Sequence, residues 1–362
     1  MESQAIEVKV LITGAAGFVG STIAKVLKAT NPELSVIGVD SFMRPGSEQN
    51  RIKLANLGIP IIHADLRSTS DVDSLPVADS IIDAAANPSV LAGIDGNTSS
   101  RQLIEHNLNG TINLLEYCKK HKASFILLST SRVYSILGLS QIQVETQNKA
   151  FTPIADQKFP EGISELGVSE TYSTQPPISI YGATKVTSEI LAQEYGATYD
   201  FPVWINRCGV LAGSGQFGRP DQGIFSFWIN SYLRKAPLKY IGFGGNGYQV
   251  RDCLHPRDIV PVIVKQINSK STEVQPICNY SGGIEQSMSL AQLSDWCSEH
   301  CGAHDVESEE EMRPFDIPWM ILDNRKAKEL WDWSPKTSIE ETLQEILEHA
   351  KANPNWLSLS AR

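Results

Sequence analysis

The sequence predicts an α/β fold: a doubly wound parallel sheet with helices on both faces, followed by a smaller C-terminal substrate-binding lobe. Three observations predict it. Over the first two hundred residues, short β-rich apolar runs alternate with longer amphipathic stretches, and right-handed crossovers turn that alternation into a parallel sheet. A glycine-rich turn joins the first run to the first amphipathic stretch. After Arg207 the alternation loosens and glycines bunch at Gly242, Gly244, Gly245 and Gly247, as expected of a lobe built from short mixed elements. The boundary therefore falls at residue 207, with 1–207 forming the sheet domain and 208–362 mainly the lobe, some of whose segments return to the first domain.

The predicted strands are Val8–Thr13, Leu34–Val39, Pro60–His63, Ser80–Ala85, Phe125–Ser129 and Val203–Arg207, apolar enough to be buried on both faces. Helical periodicity covers Phe18–Ala29, Ser99–His121 and Tyr181–Tyr199. Between residues 135 and 180 the chain is rich in Pro, Ser, Gly and Glu and has little period. A loop of that length inside a compact domain points to function.

Composition narrows the class. A chain of 362 residues with 41% hydrophobic and 20% charged residues is a well-packed globule of about two lobes. A net charge of −10 without any local Lys/Arg cluster argues against nucleic acid as a partner. No run approaches the ~18 apolar residues of a membrane span. Met1–Val8 lacks the basic-then-apolar order of a secretory leader. Six cysteines without framework spacing read as reduced thiols, which predicts a cytoplasmic protein. Cys297, His300, Cys301 and His304 form two pairs four apart, but Gly302 is expected to end that helix and no C-x-x-C pairing is present. No metal is expected there.

The glycine-rich turn reads Thr13-Gly14-Ala15-Ala16-Gly17-Phe18-Val19-Gly20. Gly14 permits the tight turn, Gly17 lets backbone approach a pyrophosphate, and Gly20 lets helix pack on strand. The helix opening at Phe18 and Val19 offers free N–H groups and a positive dipole end to phosphate. Asp40 ends the second strand, where a carboxylate accepts from ribose hydroxyls and repels a 2′-phosphate. NAD is therefore favoured over NADP, although Arg44 stands close by. Asp65 and Leu66 follow the third strand at the adenine side, and Ala84, Ala85 and Ala86 follow the fourth with side chains small enough to lie beside a cofactor. These features together predict a Rossmann-like NAD-binding domain.

A second signal is Tyr181-Gly182-Ala183-Thr184-Lys185, which puts Tyr181 and Lys185 one helical turn apart. A free tyrosine titrates near pH 10. An ammonium and a cationic ring nearby can lower that by ~3 units for ~4 kcal/mol. The third member is expected at the end of the fifth strand, in Ser129-Thr130-Ser131-Arg132-Val133-Tyr134. Thr130 is chosen by its offset from Val133-Tyr134, the alternative being a hydroxyl that merely caps the strand.

Together these motifs resemble the extended short-chain dehydrogenase/reductase family of nucleotide-sugar enzymes (NAD-dependent epimerases and dehydratases), over nearly the whole chain. The resemblance includes Asn107-Leu-Asn-Gly-Thr-Ile-Asn-Leu-Leu-Glu116, Val250-Arg251-Asp252 and His255-Pro256-Arg257-Asp258. It implies Tyr181, Lys185 and Thr130 as catalytic residues, Asn107 beside the NAD, and Thr130 and Ser131 beside the sugar. The 4,6-dehydratases of the family carry an Asp-Glu pair after the catalytic hydroxyl. Here Ser131-Arg132 stands instead, which argues against that chemistry. Gln216-Phe217, Asp221-Gln222-Gly223, the stretch Gly245–Asp252 and the long loop before Tyr181 are most similar to the CDP-tyvelose (CDP-paratose) 2-epimerases. That similarity implies a CDP-sugar partner, held by Gln216, Phe217, Gln222 and Arg251. It also implies oxidation at a sugar carbon and re-reduction on the other face by a retained NAD. A 4-epimerase, a net dehydrogenase or reductase, and a non-catalytic NAD-binding protein are the alternatives. The family also implies a homodimer through the helices at 107–121 and 181–199. Asp83, Ser135 and Val210 depart from the family pattern, where histidine, glycine and Asn or Ser are common.

Overall fold

The computed structural model describes residues 8–94, 99–220 and 222–360. Seven strands form the central sheet: β1 (Lys9–Thr13), β2 (Ser35–Asp40), β3 (Ile61–His63), β4 (Ser80–Asp83), β5 (Ser124–Thr130), β6 (Val203–Cys208) and β7 (Cys278–Tyr280). They are all parallel, in the order β7-β6-β5-β4-β1-β2-β3. The order reverses between β1 and β4, and at such a switch point a doubly wound sheet opens a crevice at the carboxyl ends of its strands. The six predicted strands are present, each within two residues at either end. β7 escaped prediction because three residues carry no readable period.

Successive strand residues face opposite sides, so a continuously apolar run buries both. Val10, Ile12, Ile82, Ile126 and Leu128 meet Ile23, Ala24 and Leu27 of helix α1 (Phe18–Thr30). Leu11, Ile81, Phe125, Leu127, Val203 and Ile205 face the other way, under Leu114, Leu115 and Cys118 of α2 (Gly110–His121) and Ala192 of α3 (Ser179–Tyr199). Each large side chain so buried contributes about 1.5–3 kcal/mol. The helix predicted over 99–121 is instead Ser100–Ile104, a π-helical turn Glu105–Asn109 and then α2. The wider turn re-aims Asn107 inward, a common use of π turns.

The segment predicted as a long loop has structure of its own. It holds a short helix (Ile136–Ser140) and two small hairpins, Val144–Gln147 with Ala150–Pro153 and Ile163–Ser164 with Gly167–Val168. Strands of two to four residues are too short for alternation to reveal. Leu139, Ile142, Ile163 and Val168 pack against Ile317, Trp319 and Ile321, and the Val168 N–H donates to the Ile321 carbonyl at 2.8 Å.

In the lobe, α4 (Ile224–Arg234), α5 (Leu290–Cys301) and α6 (Ile339–Ala352) interlock through Phe225, Trp228, Tyr232, Leu293, Trp296, Leu343 and Ile346. A small sheet places the strand Val250–Asp252 between Ser287–Ser289 and Trp319–Met320. The chain then re-enters the first domain: Val262, Ile263 and Tyr280 join the core on the α1 side. Gly302 ends α5, as expected. Cys297 lies in the lobe core, while the His300 and His304 rings meet the carbonyls of Trp296 and Ala236. Among the described residues no group of side chains is arranged to hold a metal ion. No described helix is long and apolar enough to cross a membrane.

Candidate active site

A cavity of about 690 Å³ opens at the carboxyl ends of β1, β2, β4, β5 and β6, with the lobe as its other wall. Its floor is the glycine turn. Gly14 has φ +62°, and a Cβ there would stand 2.9 Å from the Ala84 carbonyl oxygen and the Ala85 Cα. A Cβ on Gly20 would stand 2.3 Å from the Gly14 carbonyl oxygen. A side chain on Gly14 would collide with the segment after β4, and one on Gly20 would push α1 off the glycine turn that is to hold a pyrophosphate. Gly17, Phe18, Val19 and Gly20 all line the cavity, presenting the N-terminus of α1 to it.

Asp40 is half-buried at the same wall. Its carboxylate accepts the N–H groups of Ala16 (2.9 Å) and Phe42 (2.7 Å), which fastens the glycine turn to the end of β2. Burial raises its pKa and those N–H donors oppose the rise. A carboxylate retains lone pairs beyond these two bonds for ribose hydroxyls. Asp65, Leu66, Ala84, Ala85 and Ala86 line the cavity as expected, with Asp65 gripped by the Arg67 guanidinium. Arg44 turns away from β2 and donates to Gln222 Oε1 (3.0 Å) and the Phe217 carbonyl (3.2 Å). This cradle fits a dinucleotide.

Tyr181 and Thr130 share one wall. The phenol is 6% exposed and lines the cavity with Thr130, Ser131 and Arg132. Burial pushes Tyr181 up to about 12, opposed by the Thr130 hydroxyl and the positive charge of Arg132. Thr130 also caps the turn after β5, accepting from the Arg132 N–H at 3.2 Å. Lys185 lies outside the cavity wall, buried one turn along α3. Burial lowers its pKa, and Asp83 and Glu189 oppose. Asp83 is buried at the end of β4, where it accepts from Thr13 Oγ1 at 2.7 Å.

Asn107 also stays behind the wall. It accepts from the Asn87 N–H (2.8 Å) and donates to the Asn87 carbonyl (3.1 Å) and Thr184 Oγ1 (3.2 Å). It therefore ties the segment after β4 to the helix that carries Tyr181. Gln216, Phe217 and Gln222 reach the cavity where the lobe meets the cofactor side: Phe217 stacks on Trp356 at 4.9 Å and packs on Phe18. Arg251 lines the cavity and is paired with Asp316 at 2.7 Å. Asp221 lies outside the described residues. Val210 lines the cavity, whereas Ser135 is buried away from it, bonded through its backbone to Ser173 and Tyr172.

The model of the NAD dependent epimerase/dehydratase family matches residues 10–279 of this sequence. The chain belongs to that family. Its relatives include a CDP-paratose 2-epimerase of Salmonella typhi, 28% identical over 93% of this chain and 98% of that protein. A UDP-glucuronate 4-epimerase of Thermodesulfobacterium geofontis is 26% identical over 95% and 96% of the two chains. Among solved structures, the UDP-glucuronic acid 4-epimerase of Bacillus cereus, in complex with UDP-glucuronic acid and NAD, superposes with a TM-score of 0.76 at 25% identity, covering 95% of this chain and 99% of that one.

For a member of this NAD-dependent family, the cradle gives a direct expectation. Gly20→Val is expected to leave purified protein without bound NAD, read by mass spectrometry of the denatured sample, because the new side chain meets backbone rather than a mobile group. Arg132, Gln249, Arg313 and Asp316 also line the cavity, although sequence reasoning gave none of them a binding role. Arg313 and Asp316 sit in irregular chain, where no periodicity marks them. For Gln249 the signal was its place two residues before Arg251, on the same side of the chain.

Proposed function

We propose that the protein is a nucleotide-sugar epimerase of the CDP-paratose/CDP-tyvelose 2-epimerase kind. The observation that carries this reading is the convergence of Tyr181 and Thr130 with the glycine cradle on one cavity, while no carboxylate pair follows Thr130. Tyr181 accepts the proton of the sugar hydroxyl as that carbon becomes a ketone. Thr130 donates a hydrogen bond to the same oxygen. Bound NAD supplies the acceptor and later the donor of the hydride. After the keto-sugar turns over, Tyr181 returns its proton to the oxygen and the opposite configuration is fixed. Arg132 adds positive charge to Tyr181 from the cavity side, and Lys185 stands one turn along α3, where Asp83 and Glu189 favour its charged form.

Arg251, freed from or shared with Asp316, and Arg313 hold the diphosphate through charge-assisted bonds. Gln216, Phe217 and Gln222 close the junction between cofactor and nucleotide sugar. The CDP preference rests on the likeness to the Salmonella enzyme. Likeness to UDP-glucuronate 4-epimerases supports a 4-epimerase as the second reading. We further propose that the enzyme works in the cytoplasm as a homodimer paired through α2 and α3, whose outer surface exposes Ile190.

Denaturing the purified protein and weighing the released nucleotide tests the proposal. About one NAD per chain is expected, since a closed redox cycle returns the cofactor to its starting state. Protein that purifies empty and exchanges NAD freely would favour a net dehydrogenase or reductase.

A further inference from the structure

Directly before the lobe strand Val250–Asp252 stands Gln249, whose side-chain oxygen has no partner among the described residues. Val250 points into the core beside Val168 and Trp319, so Gln249 and Arg251, on either side of it, face the cavity together. Alternate residues of an extended chain lie about 7 Å apart, roughly the reach of a ribose between diphosphate and base. Gln249 is 8% exposed. Its Nε2 donates to the Ile241 carbonyl at 3.2 Å, which fixes the amide, and its Oε1 is buried without a donor.

The strand Ser287–Ser289 runs antiparallel to Val250–Asp252, with Met288 opposite Arg251 and Ser289 opposite Val250, so Leu290 follows next to Gln249. Leu290, Leu293, Ile224 and Phe225 line the same cavity. The Ser289 hydroxyl is already committed: it donates to the Lys149 carbonyl at 2.6 Å and accepts from the Gln292 N–H. The cavity therefore offers a flat ring apolar side chains and, in Gln249 Oε1, a buried acceptor. A buried acceptor without a donor is unfavourable, so a ligand that brings one N–H is favoured.

We propose that Gln249 reads the base of the nucleotide sugar, its Oε1 accepting from the 4-amino group of cytosine; the inference rests on the nucleotide-sugar reading above. Uracil and thymine place a carbonyl oxygen at that edge, which sets acceptor against acceptor. Their N3–H lies between two carbonyls, so an acceptor aimed at it meets both.

Calorimetric titration of the full-length protein with CDP and with UDP tests this, using wild type, Gln249→Met and Gln249→Glu. Wild type is expected to bind CDP at least tenfold more tightly than UDP, from one hydrogen bond gained in place of one repulsion. Gln249→Met is expected to bring the two within about threefold, and Gln249→Glu, which keeps an acceptor, to retain the preference. The preference is a ratio within one protein, so a general loss of affinity does not imitate its loss, and the wild-type ratio stands whatever the variants do. Equal affinities in wild type, or an unchanged ratio in Gln249→Met, would overturn the role of Gln249. Failure of wild type to bind either nucleotide would instead remove the nucleotide-sugar reading, and this proposal with it.

Discussion

Tyr181→Phe is expected to lower turnover by about 10²–10⁴ while NAD stays bound. The change removes one oxygen from a ring that is buried against the cavity and leaves the packing beside Ala92 and Leu103 in place. General acid–base groups of this kind contribute about 10²–10⁴ in rate. The phenol is held up to about 12 by burial, so at neutral pH it carries its proton until a cation beside it favours the phenolate. The sign follows: wild-type activity rises with pH as more phenolate forms, and the variant loses that rise together with the rate. Steady-state rates across pH, with NAD content measured on the same samples, check both halves. A variant that keeps the slope would assign the proton transfer to another group.

The second large effect concerns stability. Arg207 on β6 and Glu189 on α3 are 6% and 3% exposed and paired at 2.6 Å. The Arg207 Nε donates to both Glu189 oxygens, Ser129 donates to Glu189 as well, and Arg207 Nη1 donates to the Tyr134 hydroxyl at 3.2 Å. Tyr134 passes the chain of bonds to Asn279 on β7 at 2.7 Å. Arg207→Leu strands the Glu189 carboxylate in the interior. Breaking one side of a buried pair costs about 3–5 kcal/mol, so thermal unfolding is expected several degrees lower. The double variant Arg207→Leu/Glu189→Leu is expected to recover much of the loss, because no lone charge remains. Unfolding curves of the two single variants and the double variant decide it, and equal losses in all three would refute the pairing argument. Because Ser129 precedes Thr130 and Glu189 follows Lys185 by one turn, the same variants report how firmly the reacting groups are held.

The parts legible in the sequence were those with a period or a fixed offset. Continuous apolar runs gave six strands because burial on both faces demands them. Gly14, Gly17, Gly20, Asp40 and Tyr181 were legible because backbone approach and helical spacing fix their positions relative to one another. The bonds of Asn107 to Asn87 and Thr184 were not legible, because they depend on how the segment after β4 packs on α3. Arg313 and Asp316 were illegible because their place at the cavity depends on how irregular chain folds over the sheet. The hairpins within 135–180 escaped because each strand pairs over two to four residues.

The late return of the chain to the sheet has a consequence for biosynthesis. Ile126, Leu128 and Trp204 are covered by Val262, Ile263 and Tyr280, which emerge from the ribosome only after α4 and the strand Val250–Asp252 of the lobe. A nascent chain halted at Arg207 has made the glycine turn and Tyr181 but still presents that apolar face to water. That face of the first domain's core is therefore completed only once synthesis has passed Tyr280, part-way through the lobe.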